Sequence, residues 1–167
     1  MRPTAPAVPE RGVMRMFDWV QQDFMPQLAA AVQVIVAAAL GAVVGIEREM
    51  ANRPAGLRTH AITAGTAALL VVLTDYLVFE MLADTGNHAV QADPIRMVQA
   101  IVIGVSFLGA GTIFRSRENG IVGLTTGASL LLVAGIGIAV GVGLLYLAIM
   151  VTAFGLLVLR GLARFER

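Results

Sequence analysis

The residues best suited to chemistry lie in one short polar stretch, GIEREMANRPAGLRTH at residues 45–60, with apolar sequence on both sides. Glu47 directly follows an uncharged segment, so its carboxylate is expected near the edge of an apolar core, where a charge seeks an opposite partner. A guanidinium can hold a carboxylate through two parallel hydrogen bonds. We therefore predict a charge network of Glu47 with Arg48, Arg58 and Arg115, in which Arg58 is the favoured partner.

The same polar residues also have simpler structural interpretations. Glu47 and Glu49 could be solvated charges at the C-terminal end of a helix, where a carboxylate opposes the helix dipole. Of the two, Glu49 is the one for which a solvated position is favoured, and Glu49→Gln is expected to have a mild effect. Arg58 could contact a lipid phosphate instead of a carboxylate, and His60 is interpreted as an interface residue rather than a ligand.

Three other charged residues stand at or inside apolar segments. Asp75 is expected about 21 Å along its helix, and an ionisable residue at that depth is a functional candidate; the alternative is a helix that ends near residue 74. Asp93 followed by Pro94 predicts a helix N-cap. Arg96 opposes the dipole in the first turn of that helix, so a nearby carboxylate, Asp93 or Asp75, is expected to pair with it.

Threonines occur at the predicted starts of two helices. Thr59 is expected to be the N-cap of the second helix. Thr125 and Thr126 open the fourth helix, where one can cap and the other can hydrogen-bond to a neighbouring helix.

The composition excludes several classes of protein. Of the 167 residues, 57% are hydrophobic, only 14% are charged and none is cysteine, and the mean hydropathy is +0.81. This apolar excess indicates a membrane protein, and the lack of cysteine excludes disulfides and thiolate sites. No catalytic triad, phosphate loop, zinc spacing or nucleic-acid signature occurs. We therefore expect no enzymatic activity, cofactor, metal site or nucleic-acid partner.

The apolar segments predict an all-α membrane protein with five transmembrane helices. Residues 121–159 carry no charge, and one helix of that length would reach about 58 Å, roughly twice the apolar thickness of a bilayer. It must turn back, most readily at Gly141–Gly143; four spans are the alternative if the last segment lies in the interface. The predicted spans are 28–46, 61–82, 95 or 97–114, 124–140 and 144–160.

The predicted spans divide the chain into three parts. Residues 1–27 form a tail with an interfacial segment anchored by Trp19, residues 28–160 form the membrane domain, and 161–167 form a short tail. The tail also contains Met14 and Met16, either of which could replace Met1 as the start.

The distribution of arginine predicts the orientation in the membrane. All twelve basic residues are arginine. With five spans, eight of them fall on the side of loops 47–60 and 115–123 and the C-terminus, and four on the other side. Because basic residues favour the cytoplasmic side, we expect a cytoplasmic C-terminus and an N-terminus outside.

Glycines recur where the predicted helices meet the arginine-rich side. Helix association in lipid depends on close packing, so small residues mark contact faces. The candidates for helix packing are Gly41, Gly45, Gly109, Gly111, Gly123 and Gly127.

Taken in order, the fragments GIERE…RPAGLRTH, DPIR, FLGAG and GLTTGASL resemble the membrane domain of the MgtC/SapB family, over about residues 30–160. The resemblance implies a small, non-enzymatic protein of the bacterial inner membrane, linked to growth in low magnesium and to virulence. It implies a regulatory role through other membrane proteins. The alternative is a small oligomeric cation (Mg²⁺) transporter or channel, suggested by Asp75 and the Glu47/arginine cluster at opposite membrane depths. The soluble C-terminal domain of the best-known members is expected to be absent.

Overall fold

The computed structural model describes residues 24–85, 93–116 and 120–161, which form five helices and one two-stranded hairpin. The elements are α1 (Met25–Met50), α2 (Leu57–Thr85), α3 (Pro94–Gly111), β1 (Phe114–Ser116), β2 (Gly120–Val122), α4 (Leu124–Gly141) and α5 (Leu145–Gly161). The predicted interfacial tail up to residue 23, the alternative start residues and the tail after residue 161 lie outside the described ranges.

All five predicted helices are present, so the all-α membrane fold is confirmed. By length and composition α1, α2 and α4 contain segments that can cross a membrane, and α3 and α5 are shorter apolar helices. The two helix boundaries that enclose the polar stretch differ from the predicted spans by four residues each. Helix α1 continues through Glu47 and Arg48 to Met50, and α2 begins at Leu57, because the helical hydrogen bonds extend past the uncharged windows that define a span.

The long uncharged segment turns back where the sequence predicts. Helix α4 ends at Gly141 and α5 begins at Leu145. Gly143 has a φ of 83°, a backbone conformation that is costly for residues with a Cβ atom. The Leu144 N–H donates to the Ala139 carbonyl at 2.8 Å, which satisfies one of the carbonyls at the end of α4.

The connection between α3 and α4 contains a small hairpin that the sequence analysis did not predict. Strand β1 pairs antiparallel with β2, with Arg115 opposite Ile121. Gly120, the first residue of β2, has a φ of 70°. The hairpin connects the two helices so that the start of α4 lies beside the end of α3.

Helix α4 is the centre of the bundle and packs against each of the other four helices. Its buried face carries Val133, Ile136 and Val140, which pack with the small side chains Ala37 and Ala64 of α1 and α2. Small residues let helix backbones approach closely, which is how helices associate in lipid.

The glycine prediction is confirmed most clearly on α1. A Cβ atom at Gly41 would lie 2.5 Å from the His60 carbonyl oxygen, and one at Gly45 would lie 2.7 Å from the Leu57 Cα. Gly109 and Gly127 face each other across α3 and α4, since a Cβ at Gly109 would lie 3.2 Å from the Gly127 Cα.

Two members of the glycine set behave differently. Gly111 has no atom within 4 Å of an added Cβ, so the prediction that it packs against a helix is wrong. Gly123 precedes α4 with a φ of 95°, and a Cβ there would collide with the Thr112 carbonyl. Gly123 therefore keeps the start of α4 against the segment that follows α3, rather than joining two helix faces.

Candidate functional site: a buried polar cluster at the arginine-rich end

Glu47 and Arg48 form a buried ion pair in the last turn of α1. Their residues are 7% and 3% exposed, and Arg48 Nη1 lies 3.6 Å from Glu47 Oε2. The prediction that Glu47 pairs with an arginine is confirmed, but the preference for Arg58 is wrong. Arg58 and Arg115 are exposed, and neither forms an ion pair with any residue of the described ranges.

The choice of partner follows from where α1 ends. Because the helix runs on to Met50, both Glu47 and Arg48 are carried into the packed end of the bundle. Arg58 lies in the first turn of α2 on its outer side. Successive residues of a helix do not normally face each other, so a pair between neighbours in sequence was disfavoured by spacing alone.

Several polar atoms of this pair have no hydrogen bond. Glu47 Oε2, Arg48 Nε and Arg48 Nη2 are buried and find no hydrogen-bond partner in the part of the chain that the structure describes. Buried polar atoms are nearly always hydrogen-bonded, and each exception calls for an explanation. The guanidinium therefore has hydrogen-bonding capacity that the protein itself does not use.

His60 is completely buried and connects three parts of the bundle. Its Nδ1 lies 2.9 Å from the Gly56 carbonyl oxygen, and its Nε2 lies 2.9 Å from Ser129 Oγ on α4. The interpretation of His60 as an interface residue is wrong, since its exposure is 0%. It is a core residue that links α2 to α4.

The hydrogen bonds of His60 constrain its protons. A carbonyl only accepts, so Nδ1 carries a proton that it donates to Gly56. Ser129 Oγ also lies 2.8 Å from the Thr126 carbonyl. When the serine hydroxyl donates to Thr126, Nε2 must donate to it and His60 is a cation; when the hydroxyl donates to Nε2, His60 is neutral. The site thus accommodates both protonation states with one rotation of a hydroxyl group.

The sequence carried a signal for this histidine. His60 shares one helical face with Ala64, Ala67 and Val71, at spacings of three and four residues, and these residues are buried. Positions at this spacing fall on one side of a helix. Ser129 likewise lies on the buried face of α4 with Thr126 and Val133.

Glu49 holds the elbow between α1 and α2, which comprises residues 51–56. Its Oε2 accepts a hydrogen bond of 2.9 Å from the Leu57 N–H, so it caps the first turn of α2 from the preceding helix. The prediction that Thr59 is the N-cap is wrong: Thr59 lies inside α2, and its carbonyl accepts from Thr63 Oγ1 at 2.7 Å. The elbow is further fixed by the Arg53 N–H, which donates to the Arg48 carbonyl at 3.0 Å.

The start of α4 lacks the side-chain cap that the sequence predicts. Its N-cap residue is Gly123, with no side-chain hydrogen bond to the helix. Thr125 and Thr126 lie within the first turn instead, and Thr126 is buried while Thr125 is exposed. The first N–H groups of a helix have no partner within it, and here no threonine supplies one.

A pocket of about 240 Å³ lies between the elbow and the start of α4. Its polar lining comes from Arg48 of α1, from Asn52 and Arg53 of the elbow, and from Thr125 and Thr126 of α4. Asn52 adopts a positive φ of 53°. This pocket, which we call the arginine pocket, lies beside the buried ion pair.

The remaining predicted residues lie away from this cluster. Helix α2 runs past Asp75 to Thr85, so the alternative of a helix that ends near residue 74 is wrong. Asp75 is exposed and lines an opening of about 360 Å³ together with Gln33 of α1. Among the described residues, no three His, Cys, Asp or Glu side chains form a group that could hold a metal ion.

The cap at the start of α3 is confirmed. Asp93 Oδ1 accepts from the Ile95 N–H at 3.0 Å and from the Arg96 N–H at 3.3 Å. Arg96 Nε lies 3.9 Å from Asp93 Oδ2, so Asp93 rather than Asp75 is its partner. Both side chains are largely exposed, and an exposed pair of this kind contributes little to stability.

The comparison with curated proteins finds relatives in several bacteria. Protein SrpB of Synechococcus elongatus is 36% identical over 154 residues, covering 86% of this chain and 82% of the relative. The protein named "Putative magnesium transporter YhiD" of Escherichia coli is 38% identical over 128 residues, covering 77% of this chain. Protein MgtC of Brucella abortus is 37% identical over 115 residues, covering 69% of this chain.

The chain spans only part of two of these relatives, 58% of the Escherichia coli protein and 43% of the Brucella abortus protein. No solved structure matches it. The family model described as the MgtC family matches residues 34–167, which include all five helices from the middle of α1 onward and the whole polar cluster. The chain belongs to the MgtC family.

Proposed function

We propose that this chain is a regulatory membrane protein that binds other membrane proteins and helps the cell adapt to low magnesium or to stress. Membership of the MgtC family and the magnesium-related name of one relative support the link to magnesium. The site of partner binding that we propose is a groove on the side of the bundle. The small and hydroxyl-bearing residues that line this groove are the observation that supports the proposal.

The groove lies between α2 and α3 and has a volume of about 430 Å³. Helix α3 packs mainly against α4 and contacts α2 only weakly, which leaves the groove open along its length. Small or hydroxyl-bearing residues line much of it: Thr63, Thr66, Ala67, Ala100 and Gly104. An added Cβ at Gly104 would have no atom within 4 Å, so the backbone of α3 is directly accessible there.

We propose that the occupant of this groove is a transmembrane helix of a partner protein. Small residues allow two helix backbones to approach closely, and threonine hydroxyls can hydrogen-bond across such a contact. Lipid chains are as apolar as the groove, but they gain nothing specific from an exposed glycine backbone. The groove therefore favours a helix over a lipid chain.

A substitution that fills the groove tests the proposal. We expect Gly104→Leu to abolish co-purification of partner proteins from magnesium-starved cells while the thermal unfolding of the purified protein changes little, because the new side chain enters open space. Gly135→Leu is the matched control, since Gly135 of α4 also has no atom within 4 Å of an added Cβ and does not line the groove. Equal co-purification with both variants would contradict the proposal.

A Mg²⁺ transporter or channel is the second candidate function. Asp75 and Gln33 line an opening at the end of the bundle opposite to the arginine pocket, and oxygen ligands are those that Mg²⁺ prefers. Between the two ends, the bundle interior in the described ranges is filled mainly by alanine, valine and glycine contacts. This packing favours the regulatory function.

Flux measurements distinguish the two candidates. Liposomes that contain only this protein should show no saturable Mg²⁺ flux if it acts through partners. Saturable flux in the wild-type protein that is lost in Asp75→Asn would instead establish the transporter.

A further inference from the structure

Arg48, whose guanidinium has unused hydrogen-bond donors, is a lining residue of a pocket. Arg48 is 3% exposed, and two of its guanidinium nitrogens, Nε and Nη2, have no hydrogen-bond partner within the described residues. Arg48 is one of the residues that line the arginine pocket. Glu47 neutralises part of its charge, but its carboxylate approaches Nη1 at 3.6 Å and does not line the pocket.

The other wall of the arginine pocket is the N-terminus of a long helix. Helix α4 has 18 residues and no side-chain cap, and Gly123 and Thr125 at its start line the pocket. The first N–H groups of a helix carry partial positive charge and bind anions, phosphate groups in particular. The contact of Gly123 with the Thr112 carbonyl fixes this helix end in place.

Within the ranges 24–85, 93–116 and 120–161, the remaining lining of the pocket adds positive charge and no negative charge. Arg53 is exposed, and its backbone N–H is bound to the Arg48 carbonyl, which keeps it at the rim. Among the described residues, two arginines and no acidic residue line the pocket. Its volume of about 240 Å³ corresponds to about eight waters of liquid volume, which accommodates a phosphate group.

We propose that the arginine pocket binds a phosphate group, held by the free guanidinium nitrogens of Arg48, by Arg53 and by the N-terminus of α4. Guanidinium groups bind phosphate through parallel charge-assisted hydrogen bonds. The phosphate can belong to the headgroup of an anionic phospholipid or to a soluble phosphate compound. Both sources present the same group, and they differ in whether the ligand is anchored in the bilayer.

Thermal unfolding of the full chain in nonionic detergent tests the proposal. One arm titrates inorganic phosphate against sodium chloride of equal ionic strength. The other adds phosphatidylglycerol to the micelles, with diacylglycerol as the phosphate-free control. We expect saturable stabilisation in at least one arm. Stabilisation by phosphatidylglycerol alone would identify a lipid headgroup as the ligand, and stabilisation by inorganic phosphate would identify a soluble phosphate compound.

Two arginine variants give the matched comparison. Arg53→Gln removes a rim charge of the pocket and should raise the half-saturating concentration about tenfold, as expected for the loss of a hydrogen bond to a charged group. Arg58→Gln removes an exposed arginine of the same elbow region that does not line the pocket and should leave that concentration unchanged. Both residues are exposed, so both variants should fold.

A double variant tests the buried donor without leaving a lone buried charge. Glu47→Gln combined with Arg48→Gln removes both charges of the pair and should abolish saturable stabilisation. If this variant fails to fold, the comparison of Arg53→Gln with Arg58→Gln still decides. The proposal is overturned if neither arm stabilises the wild-type protein or if the Arg53 and Arg58 variants respond alike.

Discussion

The pairing of Glu47 with Arg48 shows what a charge does at the end of an apolar helix. Removing two charges from water is costly, and their attraction offsets that cost only when the remaining hydrogen-bonding groups are also satisfied. Here three polar atoms of the pair lack hydrogen bonds within the described residues. The pair is therefore poor evidence for stability and better evidence for a site that an additional group completes.

Removing one member of the buried pair should strongly destabilise the protein, whereas changing the neighbouring Glu49 should have a smaller effect. We expect Glu47→Gln to destabilise the protein by about 3–5 kcal/mol, because it leaves the buried Arg48 charge without its counter-charge. Glu49→Gln should be mild, since an amide oxygen can still accept from the Leu57 N–H. Glu49→Ala loses that cap and should cost about 0.5–2 kcal/mol.

Unfolding of the three variants by denaturing detergent, at equal protein concentration, measures these differences. A Glu47→Gln protein as stable as wild type would show that the pair contributes nothing to the fold.

The bond between His60 and Ser129 should be measurable as a coupling between α2 and α4. We expect His60→Ala and Ser129→Ala each to destabilise the protein, and the double variant to be less destabilised than the sum. A net hydrogen bond is worth about 0.5–1.5 kcal/mol, so the coupling energy from the double-mutant cycle should fall in that range. Strict additivity would mean that the 2.9 Å contact does not contribute to stability.

At the scale of elements, close backbone contacts determine how the helices pack. Gly41 and Gly45 of α1 meet the start of α2 so closely that a Cβ would overlap backbone atoms. Backbone atoms cannot move aside as the end of a flexible side chain can, so an added side chain must separate the helices. This interface also carries His60 and the end of α1, so its geometry determines the polar cluster.

A leucine at this contact should disrupt the bundle. We expect Gly45→Leu to lower the free energy of unfolding by more than the 1–3 kcal/mol typical of overpacking, because two helices must move apart. The unfolding midpoint should fall accordingly. Gly111→Leu is the control: Gly111 also lies near the end of an apolar helix, but an added Cβ meets no atom within 4 Å. Similar melting of both detergent-solubilised variants would refute the close-packing account of α1 and α2.

At the scale of the whole molecule, the arginine asymmetry of the sequence predicts the orientation of the bundle. The loops and termini assigned to the two sides by five spans contain eight and four arginines, and the arginine pocket lies on the side that contains loop 47–60. We expect that end in the cytoplasm. Reporter fusions at residue 88 and after residue 167 should show an external and a cytoplasmic location, respectively. A cytoplasmic location of residue 88 or an external location of the C-terminus would exclude this topology, and reversal at both positions would place the pocket on the outer face.

The architecture could be predicted from periodicity and composition because each of its features depends on residues that are close in sequence. The five apolar segments, the return at Gly141–Gly143 and the cap of Asp93 all follow from properties of residues close in sequence: segment length, backbone freedom and side-chain reach. The glycine spacing of Gly41 and Gly45 also predicted a helix contact correctly. The family resemblance identified from short motifs agrees with the match over residues 34–167.

The partners within the polar cluster were decided only by the tertiary structure. Whether Glu47 meets Arg48 or Arg58 depends on where α1 ends and on which side of α2 faces it, and neither follows from local sequence. His60 meets Ser129 across 69 positions of sequence, a contact that exists only because α4 packs against α2. The cap of α2 is likewise supplied by Glu49 from the preceding helix. Local patterns fix which segments become helices, whereas the burial and pairing of individual polar atoms depend on how those helices pack.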